Sequence, residues 1–321
     1  MSKPIEDKLD KIPVINLIVR FFKKIRLPGF EGLSVYDLLE LYIMGIVNGA
    51  LTTRASAIAF SFFTAIFPFL LFVIIIIPYI PIDKFEVEFL GFLNSFLPPQ
   101  TSDFFFSNIF ENISESGGAG LISSVFLLSM LLMANGVSAV FSGFEYSYHE
   151  QLTRNVFQQY LYAFGVALIL AFLVLLTVAV FGYFQIYVIQ PIYEGITGKD
   201  ALETDSGLGW IIFAKYMFFV IMVYLATATL YYFGTKEGRH TRFFSVGALL
   251  TTLLIILTSY LFGVYINNFS QYNKLYGSIG ALLILLLYLW LNSNILLLGY
   301  ELNASLQFLR KHPKKSKRNE N

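Results

Sequence analysis

The chain has 321 residues, of which 56% are hydrophobic and only 13% charged, with a mean hydropathy of +0.67. A soluble domain carries about 25% charged residues, so an ordinary water-soluble protein is excluded, and the net charge of +1 gives no ground for nucleic-acid binding. Cysteine is absent, which removes disulfides, thiolate catalysis and Cys-ligated metals.

The leader is polar and basic. Val14–Ile25 (VINLIVRFFKKI) places Val14, Leu17, Ile18, Phe21, Phe22 and Ile25 near helical spacing, with Arg20, Lys23 and Lys24 interleaved. Such a helix lies on anionic lipid or packs under a helix bundle, and both readings stand. A second helix is predicted from Ser34, with Asp37 as a capping residue, running on toward the first apolar run.

A bilayer core of about 30 Å needs roughly 20 apolar residues in a helix. Six stretches qualify: 57–80, 120–141, 161–188, 210–233, 243–266 and 277–300. They are long, continuous and without alternation, so they read as helices. The first follows the leader rather than opening the chain and reads as a retained span. The fold class is therefore an all-α polytopic membrane protein. Its parts are a leader (1–53), a six-span membrane domain (54–309) and a basic tail (310–321). No internal repeat marks inverted halves.

Between spans 1 and 2 lies a long aromatic segment, FEVEFLGFLNSFLPPQ then DFFFSNIF, which reads as two interfacial helices split by Pro98-Pro99. Basic residues set the orientation. The leader side holds Lys3, Lys8, Lys11, Arg20, Lys23, Lys24, Arg26 and Arg54; Arg154, Lys236, Arg239 and Arg242 follow spans 2 and 4, and six more lie in the tail. The opposite loops hold only Lys84, Lys199 and Lys274 against ten acidic residues. The positive-inside rule then places both termini in the cytoplasm.

Polar residues recur at helical intervals. Asn135, Ser138, Ser142 and Glu145 share one face of span 2. In span 6, Asn294 and Glu301 are seven apart, and Asn292 and Asn303 form a second pair. Arg54, Ser61 and Pro68 line span 1 at the same interval. Given the orientation, Arg54, Glu145 and Glu301 fall near the cytoplasmic boundary, with Ser61, Asn135 and Asn294 about 10–15 Å deeper. Polar groups facing lipid are costly, so these stripes are expected to face one another or water. Two readings compete: inter-helix hydrogen bonding with Arg54 pairing a carboxylate, or a cytoplasm-facing polar cavity for a substrate. Lys215, near the opposite end of span 4, snorkels to headgroups or, if inward, offers an anion contact.

Histidines 149, 240 and 312 are scattered, and no HxH, HExxH, Walker, Rossmann or GxSxG pattern occurs. No metal, cofactor or catalytic residue is expected, and the reading is not an enzyme. The basic tail KHPKKSKR is an orientation signal and anionic-lipid anchor.

The segment YINNFSQYNKLYGSIGALLILLLYLWLNSNILLLGYELNA resembles the signature of the YihY/BrkB family of bacterial inner-membrane proteins. The residues that carry it are Asn268, Phe269, Tyr272, Asn273, Tyr276, Gly277, Ser278, Gly299, Glu301, Leu302, Asn303 and Ala304. RASAIAFSFFTAIFPFLL, FLNSFLPP and NGVSAVFSGFEYSYHE are similar to further family segments, so the likeness covers roughly residues 30 to 308. Two departures stand out: Gly234 follows Tyr231-Tyr232 near a position where the family usually has Pro, and Tyr300 takes a place usually held by Ala.

The resemblance implies a six-helix membrane fold in the bacterial cytoplasmic membrane. It also implies links to serum resistance and to envelope or lipid homeostasis, with transport suspected. The family's old ribonuclease label has no support in this sequence, which lacks clustered His, Asp or Glu for metals. The expected function is a transporter or lipid-handling protein, against a non-transporting envelope scaffold and, third, a hydrolase. Expected partners are membrane lipids, anionic headgroups above all, a lipid or anionic substrate, and further copies of the chain; no nucleic acid is expected.

Overall fold

The computed structural model describes residues 21–25, 34–36, 50–76, 119–145, 154–189, 201–236, 242–268 and 278–311. Six long helices carry the chain: α1 (Ala50–Ile76), α2 (Ala119–Glu145), α3 (Val156–Tyr183), α4 (Ala201–Gly234), α5 (Val246–Asn268) and α6 (Ser278–Lys311). A π-helical stretch, Phe184–Ile189, prolongs α3. All six are long and apolar enough to cross a membrane. α1 begins at Ala50 rather than 57, and α6 continues to Lys311 rather than 300. Both extensions bring in polar residues that a search for purely apolar runs leaves out.

Of the leader helix, only residues 21–24 lie among the described helical residues, with the Val35 amide donating to the Ile25 carbonyl at 3.1 Å. Most of the expected helix from Ser34, the aromatic segment before α2, the tail, and Phe269, Tyr272, Asn273, Tyr276 and Gly277 lie outside the described residues. Asn268 ends α5 and Ser278 opens α6.

Each helix packs on its neighbours in sequence, α1 on α2 through α5 on α6, and α6 returns to α1. The six thus form a closed ring. α2 also touches two helices across it, α4 and α6, and Tyr231 of α4 reaches α6. Among lipid tails there is no hydrophobic drive between helices, so close approach and hydrogen bonds must hold such a ring.

Those contacts gather at one end, where α1, α3 and α5 begin and α2 and α4 finish. We call it the basic end, after Arg54, Arg154 and Arg242. The principal core cluster there joins Leu51, Ala55 and Ile58 to Val137, Phe141 and Phe144, and these to Ala228, Tyr231, Ala248, Leu297 and Tyr300. A smaller cluster, Met130 and Ala171 with Phe69 and Leu175 against them, lies deeper between α1, α2 and α3.

Candidate functional site

α1 presents Arg54 to two other helices. Its Nη2 donates to Glu301 Oε1 of α6 at 3.2 Å, and Nη1 donates to the Gly143 carbonyl of α2 at 2.7 Å. The two charged side chains are 14% and 10% exposed. Gly143 lies in the last turn of α2, where carbonyls lack intrahelical partners and carry the negative end of the dipole. One guanidinium therefore neutralises a carboxylate and caps a helix.

Arg154, on the short approach to α3, caps α4. It is buried, and its Nη1 donates to the carbonyls of Phe233 at 2.7 Å and Gly234 at 3.2 Å, the last residues of that helix. Its guanidinium carbon sits 4.5 Å from the Tyr162 ring centroid and 6.0 Å from that of Phe141. Its backbone amide donates to Glu145 Oε1 at 3.3 Å. Sequence reasoning counted Arg154 only as a loop charge; its place directly after one span and before the next was the available signal.

α5 is capped from α6. Ser245 Oγ accepts from the Ala248 amide at 3.2 Å, an N-cap bond. Asn303 Oδ1 accepts from the Gly247 amide at 2.8 Å while its Nδ2 donates to Ser245 Oγ at 2.8 Å. Gly299 lets the two helices come this close. A Cβ there would overlap the Thr251 hydroxyl and stand 2.6 Å from Tyr231 Oη and 2.8 Å from the Gly247 carbonyl. Tyr231 Oη lies 2.6 Å from Thr251 Oγ1 and donates to the Leu296 carbonyl at 2.7 Å, tying α4 to both.

Aromatic rings fill the centre of this end. Phe144 stacks on Tyr300 at 4.1 Å between centroids and meets Tyr231 edge-on at 5.5 Å. Tyr300 Oη pairs with Thr235 Oγ1 at 2.8 Å. A Cβ on Gly234 would lie 2.5 Å from Phe144. The two departures from the family pattern thus meet on one ring: Tyr300 stacks on Phe144, and Gly234 leaves room for it.

The candidate residues divide accordingly. Arg54 and Glu301 come together. Asn294 is half-buried and its Nδ2 donates back to the Trp290 carbonyl at 2.7 Å; Ser61 Oγ likewise donates to the Ala57 carbonyl at 2.9 Å. Lys215 holds its Nζ 5.0 Å from the centre of the Phe181 ring.

The face of α2 is a correction. Asn135, Ser138 and Ser142 do not join Arg54 and Glu301 in a shared interior. Ser142 Oγ and the Ser138 carbonyl accept from Gln159 Nε2 of α3 at 2.9 and 3.3 Å, and Asn135 is exposed. Phe144 points into the ring, and nine residues at about 100° each set Asn135 half a turn away from it. The expected opening toward the basic end is likewise corrected, because Phe144, Tyr231, Tyr300 and the arginine caps occupy it. Among the described residues no cluster of three or more His, Asp or Glu could hold a metal.

Comparison with known proteins identifies the architecture. The sequence model of a family described as Virulence factor BrkB matches residues 45–321. The chain belongs to the BrkB family. It is 24% identical over 263 residues to a Bacillus subtilis (strain 168) protein named as ribonuclease-like, YfkH, covering 81% of this chain and 92% of that one. A UPF0761 membrane protein of Xanthomonas oryzae pv. oryzae (strain PXO99A) is 42% identical over 67 residues, 21% of this chain and 16% of its own. Another, from Xanthomonas axonopodis pv. citri (strain 306), is 40% identical over 67 residues, with the same shares. No solved structure matches. The BrkB-type signature now has physical content: Gly299, Glu301 and Asn303 dock α6 on α5, on α1 and on the α5 cap in turn.

Proposed function

We propose that this BrkB-family chain is a transporter or lipid-handling protein of the bacterial cytoplasmic membrane, serving envelope homeostasis. Both termini lie in the cytoplasm, and the basic end is its closed cytoplasmic gate. One observation carries the reading. On three helices, the stripe buried at the basic end is exposed five turns, about 27 Å, further along. Phe144 is 0% exposed but Phe126 39%; Tyr231 is 3% but Phe213 54%; Tyr300 is 5% but Leu282 38%.

An inward stripe that is buried at one end and exposed at the other is what a one-sided vestibule requires. Its side chains are apolar, which suits the acyl part of an amphiphile better than an ion. Arg54 and Glu301 are then gate partners: parting them frees α6 from α1 and the Gly143 cap of α2 together. No residue has a catalytic role in this reading.

The test is translocation of fluorescent phosphatidylglycerol in proteoliposomes by wild type and Glu301→Gln, with folding followed by gel filtration. Translocation by wild type, changed in rate by the variant, supports the gate. Wild-type vesicles that move no more lipid than empty ones overturn lipid translocation and favour a scaffold. Metal-dependent RNA cleavage abolished by a single carboxylate substitution would instead establish a hydrolase.

A further inference from the structure

Asn135 makes no hydrogen bond among the described residues, and it is exposed. It stands ten residues before the end of α2, about 15 Å along the helix and so near the middle of a bilayer core of about 30 Å. A carboxamide facing acyl chains there forfeits four hydrogen-bonding sites with no water to replace them. Its direction is away from the ring interior, half a turn from Phe144.

The surroundings of Asn135 are not those of a lone surface amide. Ser124, Leu128 and Leu131 precede it and are exposed, the two leucines at 53% and 42%. The spacing is four, three, four, which is the seam of a left-handed helix pair. In such seams a single Asn at a core position fixes register. Beyond Asn135, Ser138 and Ser142 are held by Gln159 of α3, and Tyr160 of α3 donates to the Leu131 carbonyl at 3.0 Å, so the exposed seam runs from Ser124 to Asn135. α1 crosses α2 beside the amide, with the Phe62 ring 3.2 Å from where a Gly136 Cβ would stand, so that flank is already filled.

We propose that this face of α2 is a homodimer interface, and that Asn135 of one copy hydrogen-bonds Asn135 of a second. A carboxamide is self-complementary, since its carbonyl accepts what its NH2 donates. A two-fold axis along the membrane normal sets the two α2 helices parallel and brings each seam residue opposite its own copy, as an isologous contact requires. The interface lies outside the ring, so it is independent of whether the ring translocates anything.

The cysteine-free chain makes the test direct. Asn135→Cys, Leu131→Cys and Leu128→Cys are oxidised separately in native membranes, with Phe172→Cys on an exposed face of α3 as the control. The expected result is disulfide-linked dimer at the three α2 positions and none at the control. Purified wild type measured by mass photometry is expected to be dimeric, with Asn135→Leu weakening the dimer on the order of tenfold at unchanged melting temperature and Asn135→Gln retaining it. Failure to cross-link at all three α2 sites, or a dimer indifferent to Asn135→Leu, overturns the proposal. A monomer that retains a hydroxyl-bearing lipid in native mass spectrometry, lost in Asn135→Leu, overturns it in favour of a lipid.

Discussion

At the basic end of the ring three helix termini are finished by side chains from elsewhere in the chain: Arg54 of α1 caps α2, Arg154 caps α4, and Asn303 of α6 completes the cap of α5. At the far end the same helices leave Phe126, Phe213 and Leu282 exposed. Both ends are built from helices of the same apolar type, so hydropathy does not distinguish them. Among the described residues, the basic end adds hydrogen bonds to terminal carbonyls and amides, groups that in lipid have no water to fall back on. Docking of the helices at the basic end therefore follows the placement of three polar side chains and of glycines, not the apolar content of a span.

That contrast can be broken most severely at Arg54. Arg54→Ala leaves Glu301 buried without its ion partner and the Gly143 carbonyl uncapped, and should cost about 3–5 kcal/mol, read as a fall in the midpoint of denaturant unfolding in mixed micelles. Gly299→Val comes next. Its side chain would collide with Thr251, Tyr231 and Gly247, at a cost of roughly 1–3 kcal/mol or more; a variant as stable as wild type would refute the tight α5–α6 approach. The smallest effects form a matched pair. Asn303→Ala should cost about 1 kcal/mol through the lost cap, whereas Phe213→Ala at the far end should stay within about 0.5 kcal/mol. Equal losses for the two would erase the difference between the ends.

Much of this was legible beforehand. Span number follows from run length. The meeting of Arg54 with Glu301 was within reach because intramembrane charges seek opposite charges at the same depth. The α2 stripe shows where such reasoning stops. Periodicity establishes that Asn135, Ser138 and Ser142 share a face, but the direction of that face depends on which competing stripe wins the interior. Here Val137, Phe141 and Phe144 win it, because Gly234 and Tyr300 leave a slot for Phe144. That slot is made by residues far apart in sequence, and no local pattern reveals it. Arg154 was missed for a related reason, since a cation between spans looks like a headgroup anchor until the carbonyls it meets are in place. Gly299 and Asn303 were recognisable as signature residues, though their neighbours were not.

The Arg54–Glu301 contact joins positions 247 apart in the chain. A ribosome feeding this protein into a membrane delivers the cation with the first span and the matching anion only with the last. Until then the guanidinium can reach the Gly143 carbonyl of α2 but not the Glu301 carboxylate, and a product truncated before α6 never gains that carboxylate. The final helix thus acts as the latch that joins the last span to the first.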